Sequence, residues 1–247
     1  MTLRTTIATP SGKRQFVRRL FATIAPRYDF ITRFLSYGRD RRWKQRLMEL
    51  AAIRSEDRVL DLACGTGDLL FAAAERSRHC VGLDVTFGML QLAKMRCGAS
   101  LDGSRGGPPG SAPHVIAGDM VELPFASASF DAVTTGYGLR NVPDLRLAIS
   151  EIARVLASDG RLLSLDFDRP ENPLLRTAYL AYLTVVGSTL GIVLHGDPDT
   201  YRYIPESIRL YPGASAVGTL IESTGFRDVR IVPLLGGLMA IHVAIRD

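Results

Sequence analysis

A chain of 247 residues holds one or two domains at roughly 150 residues each, and an α/β sheet protein can use the whole length as one core. Hydrophobic residues at 47%, charged at 22% and aromatic at 8% exclude wholesale disorder and collagen-like or coiled-coil rods. The net charge of +5 conceals a division: residues 1–46 carry 12 Lys/Arg against Asp29 and Asp40, whereas the remainder carries 18 against 23 acids. A basic end on an acidic body points to an anionic surface such as phospholipid, although a solvated helix face in an arginine-rich chain accounts for the same count. Nucleic acid is disfavoured, because neither zinc-finger spacing nor an RNA-binding aromatic motif accompanies the charge. Cys64, Cys80 and Cys97 form no CxxC or Cys/His cluster, so neither a disulfide framework nor a metal site is expected. The opening MTLRTTIATPSGKRQ gives a signal peptide no apolar run to use, and a soluble cytoplasmic protein is the expectation.

Lys13 to Ile24 reads as a helix with Phe16, Leu20 and Ile24 on one face, ended by Pro26, and Arg39 to Ile53 as a second around Trp43, Leu47 and Leu50. The pattern then changes. A short apolar strand from Asp57 runs into Cys-Gly-Thr-Gly, a helix follows over Leu69 to Arg76, and His79 to Asp84 is a second strand before a helix at Phe87 to Arg96. Residues 98–113, with five Gly, three Pro and three Ser, read as a flexible loop inside a domain, and no role is assigned to them. Strands at His114 and Phe130, a helix over Leu145 to Leu156, a strand from Arg161 to Phe167 and two closing strands around Val229 and Met239 complete the alternation. Such a chain demands a mostly parallel sheet with helices on both faces. One segment breaks the rhythm: Thr177 to Gly196 is 20 residues without Asp, Glu, Lys or Arg. That length permits a membrane span, but interspersed Thr, Ser and Gly favour a buried helix or an apolar lid. Gly187 and Gly191, four apart, would admit a neighbouring backbone. The organisation expected is an N-terminal helical segment over 1–54 and a cofactor-binding domain over 55–247, with an apolar helical insertion at about 172–210.

The sharpest local signal is Asp61-Leu-Ala-Cys-Gly65-Thr66-Gly67-Asp68, a strand turning into a helix through glycines that let a ligand lie against the main chain. Asp84, 19 residues after Gly65, ends the next strand, where an acid can accept both hydroxyls of a ribose. A dinucleotide fingerprint needs a third glycine where this chain has Leu70, and Asp68 at the helix start would repel a diphosphate. A cationic adenosine compound without phosphate, S-adenosylmethionine, fits better, and Gly118-Asp119 after the third strand strengthens the signal.

With FATIAPRYDFITRFLSYGRDRRWK, VLDLACGTGDL, YGLRNVPD, and RYIPESIRLYP with the closing LLGGLMAIH, the chain closely resembles the ubiquinone/menaquinone biosynthesis C-methyltransferases, a family of class I S-adenosylmethionine-dependent methyltransferases. The match runs from about Phe16 to the C-terminus, and three of these four segments are absent from generic methyltransferases. The resemblance implies a doubly wound, mostly parallel seven-stranded α/β sheet with an N-terminal helical lid. It implies methylation of a demethylated prenyl quinol, with self-association as a feature of such enzymes. Cofactor-binding positions carried over are Asp61, Gly65, Thr66, Gly67, Asp84, Asp119, Met120 and Gly136, the last standing where many relatives have serine.

Methyl transfer from a sulfonium is an in-line displacement that depends on positioning, and a ring carbon gains the electron density it needs when the adjacent hydroxyl loses a proton. The resemblance assigns this to Arg140, orienting the quinol oxygen or a water and stabilising the phenolate, with Asn141 on the second ring oxygen. Tyr28 and Tyr201 are carried over as active-site wall; a Tyr-Asp turn capping a helix is the bland reading of Tyr28-Asp29. Pro205 and Glu206 read as a first helical turn, and His195 and His242 as structural histidines. Thr177–Gly196 would cover the prenyl tail while the basic helices rest on anionic lipid at the inner face of the cell membrane. A methyltransferase repurposed for another small acceptor and a non-catalytic cofactor-binding subunit stay open as alternatives.

Overall fold

The computed structural model describes residues 3–36, 38–100, 112–170 and 172–247; most of the Gly/Pro-rich segment 98–113, residues 101–111, lies outside them. Seven strands form one sheet in the order β3-β2-β1-β4-β5-β7-β6: β1 (Arg58–Leu62), β2 (His79–Asp84), β3 (His114–Ala117), β4 (Phe130–Gly136), β5 (Leu156–Phe167), β6 (Phe226–Leu234) and β7 (Met239–Arg246). The first five are parallel, and β7 runs antiparallel between β5 and β6. Strand order reverses between β1 and β4, so the carboxyl ends of these strands open a crevice there, the position at which ligands bind in such sheets. Val59, Leu60, Leu62, Ala132, Val133, Leu162 and Leu163 are fully buried, as both-sided coverage of a parallel sheet requires. Pro233, which has no N–H to donate, sits in β6 at the sheet edge, where a strand interior can tolerate it.

Four helices precede the sheet: α1 (Leu3–Ile7), α2 (Pro10–Ile24), α3 (Tyr28–Leu35) and α4 (Asp40–Ala51). Thr9 caps α2 by accepting from Gly12 N, with Pro10 in the first turn. Trp43, Leu47, Met48 and Ala51 of α4 pack on the sheet core, whereas α1, α2 and α3 form a separate cluster with Met89, Tyr201 and Tyr203. The sheet is further flanked by α5 (Asp68–Ala74), α6 (Phe87–Ser100), α7 (Leu145–Val155) and α10 (Ala214–Glu222).

The charge-free segment becomes α8 (Pro173–His195), capped by Asn172 and ended by left-handed Gly196, and is followed by α9 (Asp199–Leu210). The reading of α8 as a buried helix is corrected: only Leu180, Leu183, Gly187 and Gly191 are buried, while Leu174, Val185, Ile192 and Val193 are more than half exposed. It is the one helix among the described residues long and apolar enough to cross a membrane. The glycine spacing does what it predicts. A Cβ on Gly187 would stand 3.0 Å from the Tyr201 carbonyl oxygen, and one on Gly191 2.3 Å from that of Asp197, so α9 lies directly on α8. Pro205 is not in a first turn, as the sequence suggests, but in the middle of α9. Lacking an N–H, it leaves the Tyr201 carbonyl without its helical partner on the side where Gly187 approaches.

Candidate active site

The turn after β1 brings three consecutive alternate residues, Ala63, Gly65 and Gly67, to positive φ (52°, 54° and 93°). Cys64 N donates to Leu83 O and Gly67 N to Cys64 O, which pins the turn beside the end of β2. Asp84 there accepts from Gly65 N at 2.9 Å and from Thr86 N at 2.7 Å, so its buried carboxylate is fixed before any ligand arrives. A cleft of about 710 Å³ opens beside it. Gly65, Asp84, Asp119, Met120 and Gly136 line this cleft, as does Asn141. Asp61, Thr66 and Gly67 do not. Asp61 is 1% exposed, bonded to Thr134 Oγ1 at 2.8 Å, and burial raises its pKa to about 7; Thr66 Oγ1 donates to Asp29 Oδ1 at 2.8 Å.

A Cβ at Gly65 would stand 3.9 Å from the Tyr28 ring and strain a backbone held at positive φ, and one at Gly136 would meet the core side chain of Leu69 at 3.1 Å, so both positions suit glycine. The donor set suits a cationic adenosine compound: a fixed carboxylate for the ribose at Asp84 and a second acceptor at Asp119, whose Oδ1 accepts from Val121 N and whose Oδ2 pairs with Arg14 Nε at 3.1 Å. Asp68 does not, however, present to the cleft the bare charge that the sequence suggests. Asp68 lies outside the cleft lining, and Lys44 Nζ at 2.9 Å and Arg96 Nη2 at 2.8 Å neutralise it and hold its pKa down against burial. Its repulsion of a diphosphate is therefore cancelled by its neighbours.

A second, apolar cavity of about 990 Å³ adjoins the first, and Phe21, Tyr28 and Tyr137 line both. Arg140 and Tyr201 line this second cavity, with Trp43, Phe167, Tyr179, Leu183 and Tyr203. Arg140 is no surface cation: it is 5% exposed, with Nε 3.3 Å from Asp166 Oδ1, its own backbone N donating to Asp166 Oδ2 at 2.9 Å, and Nη1 donating to Ser207 Oγ. Its guanidinium stacks 4.8 Å from the Phe167 ring. Asn141 is held by its carboxamide, donating to Tyr137 O at 2.7 Å and accepting from Tyr203 Oη at 2.9 Å. Burial raises the pKa of Tyr28 and pushes that of Tyr201 up to about 12, so the phenols stay protonated. Tyr201 Oη lies 2.9 Å from His195 Nε2. His242 is a structural residue, with its Nε2 2.8 Å from Ala214 O and its pKa lowered by burial.

The structure thus gathers Tyr28, Arg140 and Tyr201 around one cavity and Asn141 at the neighbouring one. Sequence reasoning picked out the Tyr137–Asn141 segment but gave Tyr137, whose oxygen lies 2.5 Å from Asp40 Oδ1, no role of its own, and it passed over Asp40 and Lys44 behind it. It also passed over Lys13, whose pKa burial and the nearby Arg140 lower to about 8, and which lines neither cavity. The signal for Tyr137 is its place between Gly136 and Gly138 at a strand end; nothing in the sequence pairs it with a residue 97 positions away. Among the described residues, no group of three or more His, Cys, Asp or Glu could hold a metal ion.

The sheet order, the glycine turn and the acid at the end of β2 define a class I methyltransferase fold. A solved S-adenosylmethionine-dependent methyltransferase from Thermotoga maritima, described as a possible histamine N-methyltransferase, superposes with a TM-score of 0.66 at 16% identity, covering 94% of this chain and 100% of that one. A structure from Methanococcus maripaludis, described as a putative methyltransferase of the same cofactor, has a TM-score of 0.61 at 17% identity, covering 91% and 93%. The sequence comparison is narrower. Residues 9–246 match the ubiE/COQ5 methyltransferase family, and the chain belongs to it. A demethylmenaquinone methyltransferase of Thermus thermophilus is 38% identical over 92% of this chain and 100% of its own. A ubiquinone/menaquinone biosynthesis C-methyltransferase of Saccharophagus degradans is 35% identical over 95% and 92%. The chain is an S-adenosylmethionine-dependent methyltransferase of quinone biosynthesis.

Proposed function

We propose that the acceptor is a demethylated prenyl naphthoquinol, demethylmenaquinol, methylated on a ring carbon. The observation that carries this is the junction of the two cavities at Phe21, Tyr28 and Tyr137: a cleft with a carboxylate for ribose on one side, an apolar cavity lined by tyrosines and Arg140 on the other. Asp84 and Asp119 would hold the ribose and adenine of S-adenosylmethionine, with Gly65, Met120 and Gly136 offering main chain. Bound there, the cofactor supplies an electrophilic methyl group on a positively charged sulfur. Arg140 places its cation beside the quinol oxygen and stabilises the phenolate. Asn141, tied at both ends of its carboxamide, fixes the ring, and the aromatic lining excludes water from the reacting atoms.

The prenyl tail extends between α3 and α8, the walls of the apolar cavity. The same two helices carry exposed Phe30, Phe34, Val185 and Val193, an apolar rim suited to the surface of a bilayer in which the substrate resides. The basic N-terminal segment adds attraction to anionic headgroups. Incubation with methyl-labelled cofactor and a panel of short-tailed demethylated naphthoquinols and benzoquinols tests the reading. Label on the naphthoquinol ring carbon is expected; label on oxygen, or on a benzoquinol alone, would refute it. Co-sedimentation with liposomes tests the surface, and binding indifferent to acidic phospholipid would remove the electrostatic half.

A further inference from the structure

The reacting ring has to lie where the two cavities meet, because a methyl group passes only between groups already in near-contact. The hydroxyl whose ionisation activates the ring carbon is adjacent to that carbon, so the proton acceptor must serve the same junction. Arg140 cannot take a proton, since a guanidinium has no acceptor and stays charged at any ordinary pH. Asp166 is enclosed by that cation and by the backbone N–H groups of Arg140 and Phe167. Lys13 and His195 line neither cavity. Of the two phenols at the junction, Tyr137 has its oxygen 2.5 Å from a carboxylate, Oδ1 of Asp40.

Two further observations set this pair apart. Tyr137 is held at φ +61°, a left-handed conformation that strains a bulky residue and clusters at functional sites. Behind it, Asp40 Oδ2 is 2.7 Å from Lys44 Nζ, which also reaches Asp68 Oδ2 at 2.9 Å, and Asp68 Oδ1 meets Arg96 at 2.8 Å. Asp40 is 9% exposed, while the Arg96 side chain is 33% exposed, so the ionic series leads from the junction to the surface.

We propose that Tyr137 and Asp40 form the proton acceptor of the methylation, Tyr137 Oη taking the quinol hydroxyl proton as its own phenolic proton passes to Asp40 Oδ1. The quinol O–H bond breaks and leaves its electron pair on oxygen; one O–H bond forms on Tyr137 as another breaks, and the last forms on the carboxylate. Once the ring carbon carries its methyl group, the displaced ring hydrogen leaves as a proton. The quinol oxygen is reprotonated by the reverse route, so one proton per turnover reaches solvent. The proposal rests on the quinol reading above.

The charged and titratable groups facing Asp40 are Lys44 on its own helix, Tyr28 on α3 and Tyr137; those facing Tyr137 also include Asp166. Tyr137→Phe and Asp40→Asn, made in the full chain and assayed with a short-tailed demethylmenaquinol, should each lower kcat about 100-fold, the scale of one acid–base step. KM and the Kd for S-adenosylhomocysteine should hold within about threefold, and the double variant should be no slower than the worse single, because the two act as one unit. The residual kcat should climb about tenfold per pH unit toward the quinol's own ionisation, where the wild type is level, and Asp40→Glu should recover part of the loss. A readout independent of turnover is the absorbance of a short-tailed naphthol bound beside S-adenosylhomocysteine: its phenolate fraction at pH 7 should fall in Asp40→Asn. Variants that keep the wild-type kcat, or lose it uniformly across pH along with S-adenosylhomocysteine binding, would overturn the proton route alone. A wild-type enzyme that leaves the quinol unmethylated would overturn the substrate reading and this proposal with it.

Discussion

The Arg140–Asp166 pair offers the clearest separation of stability from activity. Asp166 is 2% exposed and accepts from two backbone N–H groups and from Arg140 Nε, and Arg140 is almost as deeply buried. Removing one member leaves the other charge in a low-dielectric interior, which costs about 3–5 kcal/mol. In a chain of this size each kcal/mol moves Tm by about 2–4 °C, so Asp166→Asn and Arg140→Met should each lower Tm by roughly 6–20 °C. Asparagine keeps an oxygen for only one of the two backbone N–H groups, which reach different carboxylate oxygens, but the double variant strands no charge and should be less destabilised than either single. The pH dependence has a definite sign. Burial already raises the Asp166 pKa above its ordinary value, and losing the guanidinium in Arg140→Met raises it further. The folded state then keeps a proton that the unfolded chain releases from about pH 4 upward, so the deficit of Arg140→Met is small at pH 5 and grows toward pH 8. Urea and thermal unfolding of the four proteins at both pH values, with kcat in parallel, is the measurement. Turnover should stay lost in the double variant although stability returns. Additive losses in the two singles would refute the account of the pair.

Asp84→Asn should weaken S-adenosylhomocysteine binding about 10- to 100-fold by calorimetry, the worth of a charge-assisted hydrogen bond of roughly 1.5–3 kcal/mol, and unchanged affinity would remove Asp84 from the ribose site. Asp61, with its pKa raised to about 7 by burial, makes the folded protein bind more protons than the unfolded chain between about pH 4 and 7, so it lowers stability as pH rises through that window. Asp61→Asn should narrow the difference in urea-unfolding stability between pH 5 and pH 8. Gly191→Val places a carbon 2.3 Å from the Asp197 carbonyl oxygen, and should cost about 1–3 kcal/mol or more by thermal unfolding and raise the quinol KM, because α9 carries Tyr201 and Tyr203 into the cavity. Wild-type stability in that variant would mean the helices separate freely.

The alternation of short apolar runs with glycine turns and helical stretches made the parallel sheet legible, because burial on both faces leaves each strand a nearly continuous apolar word. Local chemistry was legible for the same reason: Gly65 and Asp84 mark their turn and strand end by residue type. Pro205 was misread because a proline-and-acid pair suits a first helical turn, and only the packing of Gly187 on Tyr201 explains why a helix continues through it. Of the two readings of α8, a buried helix or an apolar lid, its exposed face removes the first, because charge counts cannot tell an apolar face turned inward from one turned outward. The Tyr137–Asp40 contact was illegible, since it joins a strand end to a helix 97 residues earlier.

Charge shows most plainly what a sequence count leaves unresolved. Read as a sum, residues 1–46 are a cationic end. In the fold many of these cations are committed: Arg4 to Glu206, Arg14 to Asp119, Lys44 to Asp40 and Asp68, and Arg27 to the Leu194 carbonyl oxygen. These pairs bind the first helices to α9, to Asp119 in the wall of the first cleft, to the turn after β1 and to the end of α8, so part of the excess positive charge closes the two cavities. Arg18, Arg19, Arg33, Arg39, Arg41 and Arg42 have no ion pair among the described residues, and any attraction to an anionic surface falls to them. The same segment therefore divides its charge: its paired cations tie down the helices that carry Phe21 and Tyr28 to the wall shared by the two cavities, and its unpaired ones stay exposed, with Arg18 at the lining of the first cleft.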